Sequence, residues 1–211
     1  MRKQMPKGLY GITAENFSNG KDNISVVKEM LDAGIKILQY RDKYKTKIEK
    51  FKQCETIRKL TSDYKCFFIV NDDIDIALSL KSDGVHIGQE DLPITKTREI
   101  VGETITIGVS THSLKQALIA VQNGADYVGV GPIYKTFTKD NAVNPIGLNY
   151  LAIYINNIQI PKVAIGGIKL ENLSEVCKYK PENICMVTEI TSSDNICLTI
   201  KRAQEVINDY C

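Results

Sequence analysis

Short apolar runs alternate along the chain with longer stretches whose apolar residues recur at helical spacing. The runs 9–13, 35–40, 67–71, 84–87, 105–109, 127–131, 162–165 and 184–188 read as strands. Between them, residues 22–33 place Ile24, Val27, Met30 and Leu31 on one side, and residues 47–62 do the same with Ile48, Phe51, Ile57 and Leu60. Further helices are predicted over 74–80, 94–101, 113–123, 147–155, 171–179 and 193–210. Pro93 suits a helix start, Ser113 is a candidate cap, and Gly124 a helix stop. Eight buried strands alternating with eight helices predict a single α/β domain over 1–211, a (β/α)8 barrel of the TIM type. An open doubly wound sheet is the competing architecture, but gives no reason for eight evenly spaced strands.

A barrel of this kind carries its chemistry just after the strands, at the C-terminal mouth. After the second strand, Gln39, Arg41 and Lys43 fall two apart, so an extended chain projects one amide and two cations from one face. That set suits a doubly charged oxyanion such as pyrophosphate, or else a solvated strand end. The third and fourth strands are followed by Asn71-Asp72 and by Gly88-Gln89-Glu90-Asp91. Asp72 alone reads as a helix cap. Asp72 and Asp91 together, beside two cations, read as a Mg²⁺ site completed by substrate phosphate. His86, inside a strand, reads as a buried, hydrogen-bonded structural residue, and His112 reaches the mouth without an evident partner.

Ser110 follows the fifth strand, and Thr136-Phe137-Thr138-Lys139 lies in a longer loop after the sixth. That loop suits a phosphate grip or lid, and equally an ordinary solvated loop. Gly166-Gly167-Ile168 and Val187-Thr188-Glu189 follow the seventh and eighth strands, where such barrels hold a phosphate monoester through backbone amides. Two anion pockets result, one with metal and one without. They fit a pyrophosphate substrate meeting a phosphate-bearing one.

Composition narrows the class. A net charge of +2 over 211 residues, with both signs interspersed, gives no surface for nucleic acid or membrane. No apolar run approaches the roughly 20 residues of a membrane span, and residues 1–7 lack the apolar stretch of a signal peptide. The six cysteines are scattered without a CxxC pair, which disfavours zinc and suits buried thiols of a reducing, cytoplasmic compartment. Homo-oligomerisation is compatible with the sequence.

In order, the blocks Leu9-Tyr10-Gly11-Ile12-Thr13, Gln39-Tyr40-Arg41-Asp42-Lys43, Val70-Asn71-Asp72, Asp83-Gly84-Val85-His86-Ile87-Gly88-Gln89-Glu90-Asp91-Leu92-Pro93, Ile107-Gly108-Val109-Ser110, Asp126-Tyr127-Val128-Gly129-Val130-Gly131-Pro132-Ile133, Thr136-Phe137-Thr138-Lys139 and Ala164-Ile165-Gly166-Gly167-Ile168 resemble the thiamine-phosphate synthase family from end to end. The resemblance implies a compact TIM barrel, a transferase joining 4-amino-2-methyl-5-hydroxymethylpyrimidine pyrophosphate to 4-methyl-5-(2-phosphooxyethyl)thiazole. It implies that Gln39, Tyr40, Arg41, Asp42, Lys43 and Asn71 hold the pyrimidine pyrophosphate, with Ser110 on the pyrimidine and Lys139 on its pyrophosphate. Arg41, Lys43, Lys139 and Ser110 are then the catalytic set. Asp72 and Asp91 would hold Mg²⁺, while Thr136, Phe137, Thr138, Gly167, Val187 and Thr188 would hold the thiazole phosphate.

Two departures stand out. Thr188 replaces a frequent Ser, and Glu189 replaces a small residue, so its carboxylate is expected to face away from phosphate. A thiazole tautomerase and a non-catalytic phosphate-ligand binding protein on the same fold are the rival readings. The tautomerase has no use for the full Arg41, Lys43, Asp72, Asp91 and Lys139 set.

Overall fold

A computed structural model describes residues 2–138 and 144–210. Eight parallel strands close into a barrel in chain order: β1 (Gly8–Ile12), β2 (Ile37–Tyr40), β3 (Phe67–Asn71), β4 (Gly84–Ile87), β5 (Thr106–Thr111), β6 (Tyr127–Val130), β7 (Lys162–Ile165) and β8 (Asn183–Cys185). Closure comes from β8 pairing with β1, Gly8 opposite Asn183 and Tyr10 opposite Cys185. The expected TIM barrel is therefore the fold of this chain.

Each strand is followed by helix: α1 (Asn23–Asp32), α2 (Lys47–Asp63), α3 (Ile74–Ser79), α4 (Ile94–Val101), α5 (Leu114–Gln122), α6 (Gly147–Asn157), α7 (Leu170–Cys177), α8 (Val187–Thr191) and α9 (Ile196–Asn208). Local chemistry sets several starts. Thr46 and Glu49 form a reciprocal capping box on α2. The predicted cap Ser113 accepts from the Gln116 amide at 3.2 Å. Gly124 supplies the left-handed stop after α5, at φ +89°.

The eighth repeat departs from its prediction. Only 183–185 pair as strand, and the chain enters α8 after Met186, so Val187 and Thr188 are helical. A short apolar run does not distinguish a strand from a buried helical turn. Here Ile190 and Thr191 are fully buried against the barrel instead of extending it.

Strand alternation separates two apolar layers. Leu9, Leu38, Tyr40, Phe68, Val70, Val85, Val128 and Ala164 face the helices. Tyr10, Ile12, Ile37, Phe67, Ile69, Tyr127, Val163 and Cys185 fill the barrel interior. Gly108 on β5 makes room for this interior. A Cβ there would lie 1.9 Å from Tyr127 Cζ. Gly108→Ala is expected to destabilise the fold by about 1–3 kcal/mol through overpacking, read as a lowered Tm and urea midpoint. An unchanged midpoint would show that Tyr127 has another rotamer available.

Candidate active site

The strand ends enclose a cavity of about 1090 Å³, including its open mouth. Its wall carries Gln39, Arg41, Asn71, Ser110, Thr136, Thr138, Gly167, Val187 and Thr188, from both predicted substrate sets, while the predicted metal pair Asp72 and Asp91 is not part of it. Among the described residues, Arg41 is the only Lys, Arg, Asp or Glu on that wall. Its backbone is clamped from β1: the Arg41 amide donates to Thr13 Oγ1 at 2.8 Å, and Thr13 Oγ1 donates to the Arg41 carbonyl at 3.0 Å. Arg41 lines both this cavity and a smaller pocket shared with Lys43, and no hydrogen bond or ion pair joins its guanidinium to a described residue.

The Gln39–Lys43 face is only partly as predicted. β2 ends at Tyr40, so two-residue alternation does not govern residues 41–43. Gln39 and Arg41 share the cavity; Lys43 lines the smaller pocket with Arg41 and binds Asp72. Tyr40 and Asp42, among the predicted substrate contacts, do not line the cavity. Tyr40 points outward into the helix layer, where its hydroxyl donates to Gln53 Oε1 at 3.0 Å. Asp42 braces its own loop, accepting from the Tyr44 and Lys45 amides at 2.9 and 3.0 Å and from Asn23 Nδ2 at 3.1 Å. Burial raises the Asp42 carboxyl, but those amides and the Lys45 ammonium outweigh it and hold it below the usual range.

Asp72 adopts a left-handed backbone at φ +60°, which Asp tolerates better than most residues. It does not cap α3, whose N-cap is Asp73. Asp73 instead binds Lys47 and Lys50 at 2.7 and 3.1 Å. Burial pushes the Asp72 carboxyl above its ordinary value against the pull of Lys43, and Asp91, within hydrogen-bonding reach, adds to the rise. Asp91 is exposed and accepts from the Gly88 amide at 2.6 Å. Two adjoining carboxylates with excess negative charge form a donor set that fits Mg²⁺, which takes one or two carboxylates and fills its shell with water and phosphate oxygen. Among the described residues no three His, Cys, Asp or Glu converge to make a protein-only cage.

Across the mouth, Thr136 and Thr138 bond to each other at 3.1 Å. Phe137, between them, is 77% exposed with the Lys135 ammonium over its ring and does not line the cavity. Lys139 lies outside the described residues. The Gly166-Gly167 turn packs under this loop. Gly167, at φ +65°, would bring a Cβ to 2.5 Å from the Lys135 carbonyl oxygen. Glu189 faces away, as expected, and accepts from the Leu170 amide at 3.1 Å.

Some wall residues were not anticipated. Tyr10 and Tyr127 line the cavity from strand positions whose alternation already pointed them inward, and Thr13 lines it from just beyond the end of β1. His86 is buried and bonded on both ring nitrogens, as expected, yet it also lines the cavity. His112, expected without a partner, holds the Gly131 carbonyl through Nδ1 at 2.6 Å.

The sequence and the fold are shared with known proteins. A family model described as thiamine monophosphate synthase matches residues 9–190. The chain belongs to the thiamine monophosphate synthase family. It is 50% identical over 202 residues to the thiamine-phosphate synthase of Caldicellulosiruptor bescii, covering 96% of this chain and 92% of that one. It is 46% identical over 200 residues to that of Pelotomaculum thermopropionicum, covering 95% and 92%. The solved thiamine phosphate pyrophosphorylase from Pyrococcus furiosus superposes with a TM-score of 0.89 at 33% identity, covering 96% of each chain. Residues 9–190 of the family match run from β1 through α8 and so take in every described wall residue of the cavity.

Proposed function

We propose that this chain condenses 4-amino-2-methyl-5-hydroxymethylpyrimidine pyrophosphate with 4-methyl-5-(2-phosphooxyethyl)thiazole, giving thiamine monophosphate and pyrophosphate. The observation that carries this reading is one cavity whose wall holds a lone cation among the described residues, Arg41, together with the Gly166-Gly167 turn, Thr136, Thr138, Val187 and Thr188. In a family of this activity, these two parts of the wall suit a leaving pyrophosphate and an incoming phosphate monoester.

Bond breaking separates the pyrimidine methylene carbon from the pyrophosphate oxygen, and the thiazole nitrogen lone pair forms the new C–N bond. The aminopyrimidine ring delocalises charge at the methylene carbon, so the step is dissociative and needs no general base. Arg41 and Lys43, with Lys139, stabilise the departing pyrophosphate, and holding both substrates in one cavity supplies orientation. Asp72 and Asp91 would hold Mg²⁺, which when bound neutralises leaving-group charge. Ser110 and Gln39 hold the pyrimidine, Asn71 lies beside Arg41 on the same wall, and backbone amides of Gly167, Val187 and Thr188 receive the thiazole phosphate. The whole chain, 1–211, serves as one catalytic domain. Among the described residues, Cys54, Cys66 and Cys197 are in no disulfide, which suits a reducing cytoplasm.

Gly167→Ala separates the two parts of the wall. The added Cβ would meet the Lys135 carbonyl and Tyr134 Cβ, 2.5 and 2.8 Å away. We expect KM for the thiazole phosphate to rise about tenfold through lost backbone contacts, with KM for the pyrimidine pyrophosphate little changed. Steady-state kinetics with each substrate varied in turn reads this, and an equal rise for both would contradict the division. The function itself is tested by complementation. A thiamine-requiring bacterium lacking this condensation should grow without thiamine when it expresses this chain, and failure of soluble, expressed protein to rescue growth would count against it.

A further inference from the structure

A chain of side-chain hydrogen bonds crosses the barrel floor beneath the cavity. Gln39 Nε2 donates to Tyr10 Oη at 2.8 Å, Tyr10 Oη and Tyr127 Oη are 2.9 Å apart, Tyr127 Oη is 2.9 Å from His86 Nδ1, and His86 Nε2 is 2.9 Å from Ser110 Oγ. Both phenols are 1% exposed, and burial pushes both above their ordinary pKa, so each keeps its proton. A hydroxyl donates once. If Tyr127 donated to Tyr10, the Tyr10 oxygen would accept twice and its own buried proton would be stranded, at a cost of about 1–3 kcal/mol. Tyr10 therefore donates to Tyr127, Tyr127 donates to His86 Nδ1, and the His86 proton sits on Nε2, donated to Ser110. That leaves the Ser110 proton to point into the cavity.

We propose that Tyr10, Tyr127 and His86 are positioning residues that lock the His86 Nε2–H tautomer and so fix Ser110 as a hydrogen-bond donor to the ligand. At the other end, Gln39 spends its N–H on Tyr10 and presents its amide oxygen as an acceptor. Acceptor at one end and donor at the other match a heteroaromatic edge carrying an amino group beside an unprotonated ring nitrogen. This ligand assignment rests on the aminopyrimidine reading above; the tautomer does not.

His112 provides an internal contrast. Its Nδ1 faces the Gly131 carbonyl, which only accepts, so its proton is on Nδ1. With two histidines in the chain, ¹⁵N-detected imidazole spectra at about pH 8, where an ordinary histidine is neutral, resolve both, and His112→Gln assigns them. The expected spectrum has one Nδ1–H ring, His112, and one Nε2–H ring, His86. An Nδ1–H ring at His86 reverses the whole chain and overturns the proposal, with no substrate or activity involved.

The functional arm uses Tyr127→Phe. It should raise KM for the pyrimidine pyrophosphate about tenfold, the effect of one lost buried hydrogen bond, leave KM for the thiazole phosphate unchanged, and scramble the His86 tautomer. In a Ser110→Ala background the same substitution should change KM by less than about twofold, because coupled residues are non-additive. Equal effects in both backgrounds, or an equal rise for both substrates, would reduce Tyr127 to a packing residue and overturn its assigned role. If Tyr127→Phe fails to fold, the wild-type spectrum still decides.

Discussion

Asp72→Ala is expected to lower kcat at saturating Mg²⁺ by about 10²–10³-fold, the scale of losing one electrostatic contact to a developing charge. Asp72 is held between Lys43 and Asp91, with its carboxyl raised by burial and by its acidic neighbour. Burial and Asp91 oppose its charge and Lys43 offsets this only in part, so a further cation is electrostatically favoured beside it. Alanine also removes a residue suited to φ +60°, a backbone cost of about 1–2 kcal/mol. Asp72→Asn keeps that backbone preference and removes only the charge, so both variants should share the loss and show a weakened Mg²⁺ dependence. Full turnover of Asp72→Asn at saturating Mg²⁺ would remove Asp72 from the metal role.

Arg41→Ala should reduce kcat/KM for the pyrimidine pyrophosphate by a similar factor, about 10²-fold or more. It deletes the only Lys, Arg, Asp or Glu side chain among the described residues of the cavity wall, while the Thr13 clamp on the Arg41 backbone keeps the loop in place. Arg41→Lys retains charge without the planar fork and should recover only part of the loss, to about tenfold below wild type. Affinity for the thiazole phosphate should be little affected in either variant. If both substrates were weakened equally, Arg41 would be acting on the shape of the whole cavity and not on the leaving group.

The barrel is readable from sequence because its signal is repeated: the predictions for β3, β4, β7 and α4 agree with the structure to the residue. The last repeat misleads because a five-residue apolar run carries no period long enough to separate a strand from a turn of helix. The site is legible to the extent that strand alternation reaches it. Gln39 points inward on β2 as period two demands, whereas Arg41 and Lys43 lie beyond the end of β2, where Thr13 clamps the Arg41 backbone and Asp42 folds the loop. Tyr40 and Phe137 join the predicted site because they sit inside recognisable blocks; a motif names positions, not side-chain directions. The floor network is invisible in sequence for the opposite reason. Tyr10, Tyr127 and His86 come from three strands, and only barrel closure brings their polar atoms within hydrogen-bonding distance.

If one cavity joins two substrates with loss of pyrophosphate, the purified chain alone must carry out both events together. Incubation with the pyrimidine pyrophosphate, the thiazole phosphate and Mg²⁺, following thiamine monophosphate by mass and pyrophosphate in parallel, measures this. Equal amounts of both products are expected, and neither when one substrate is omitted. Intact pyrimidine pyrophosphate alongside an isomerised thiazole phosphate, or binding of both substrates without any thiamine monophosphate, would contradict it.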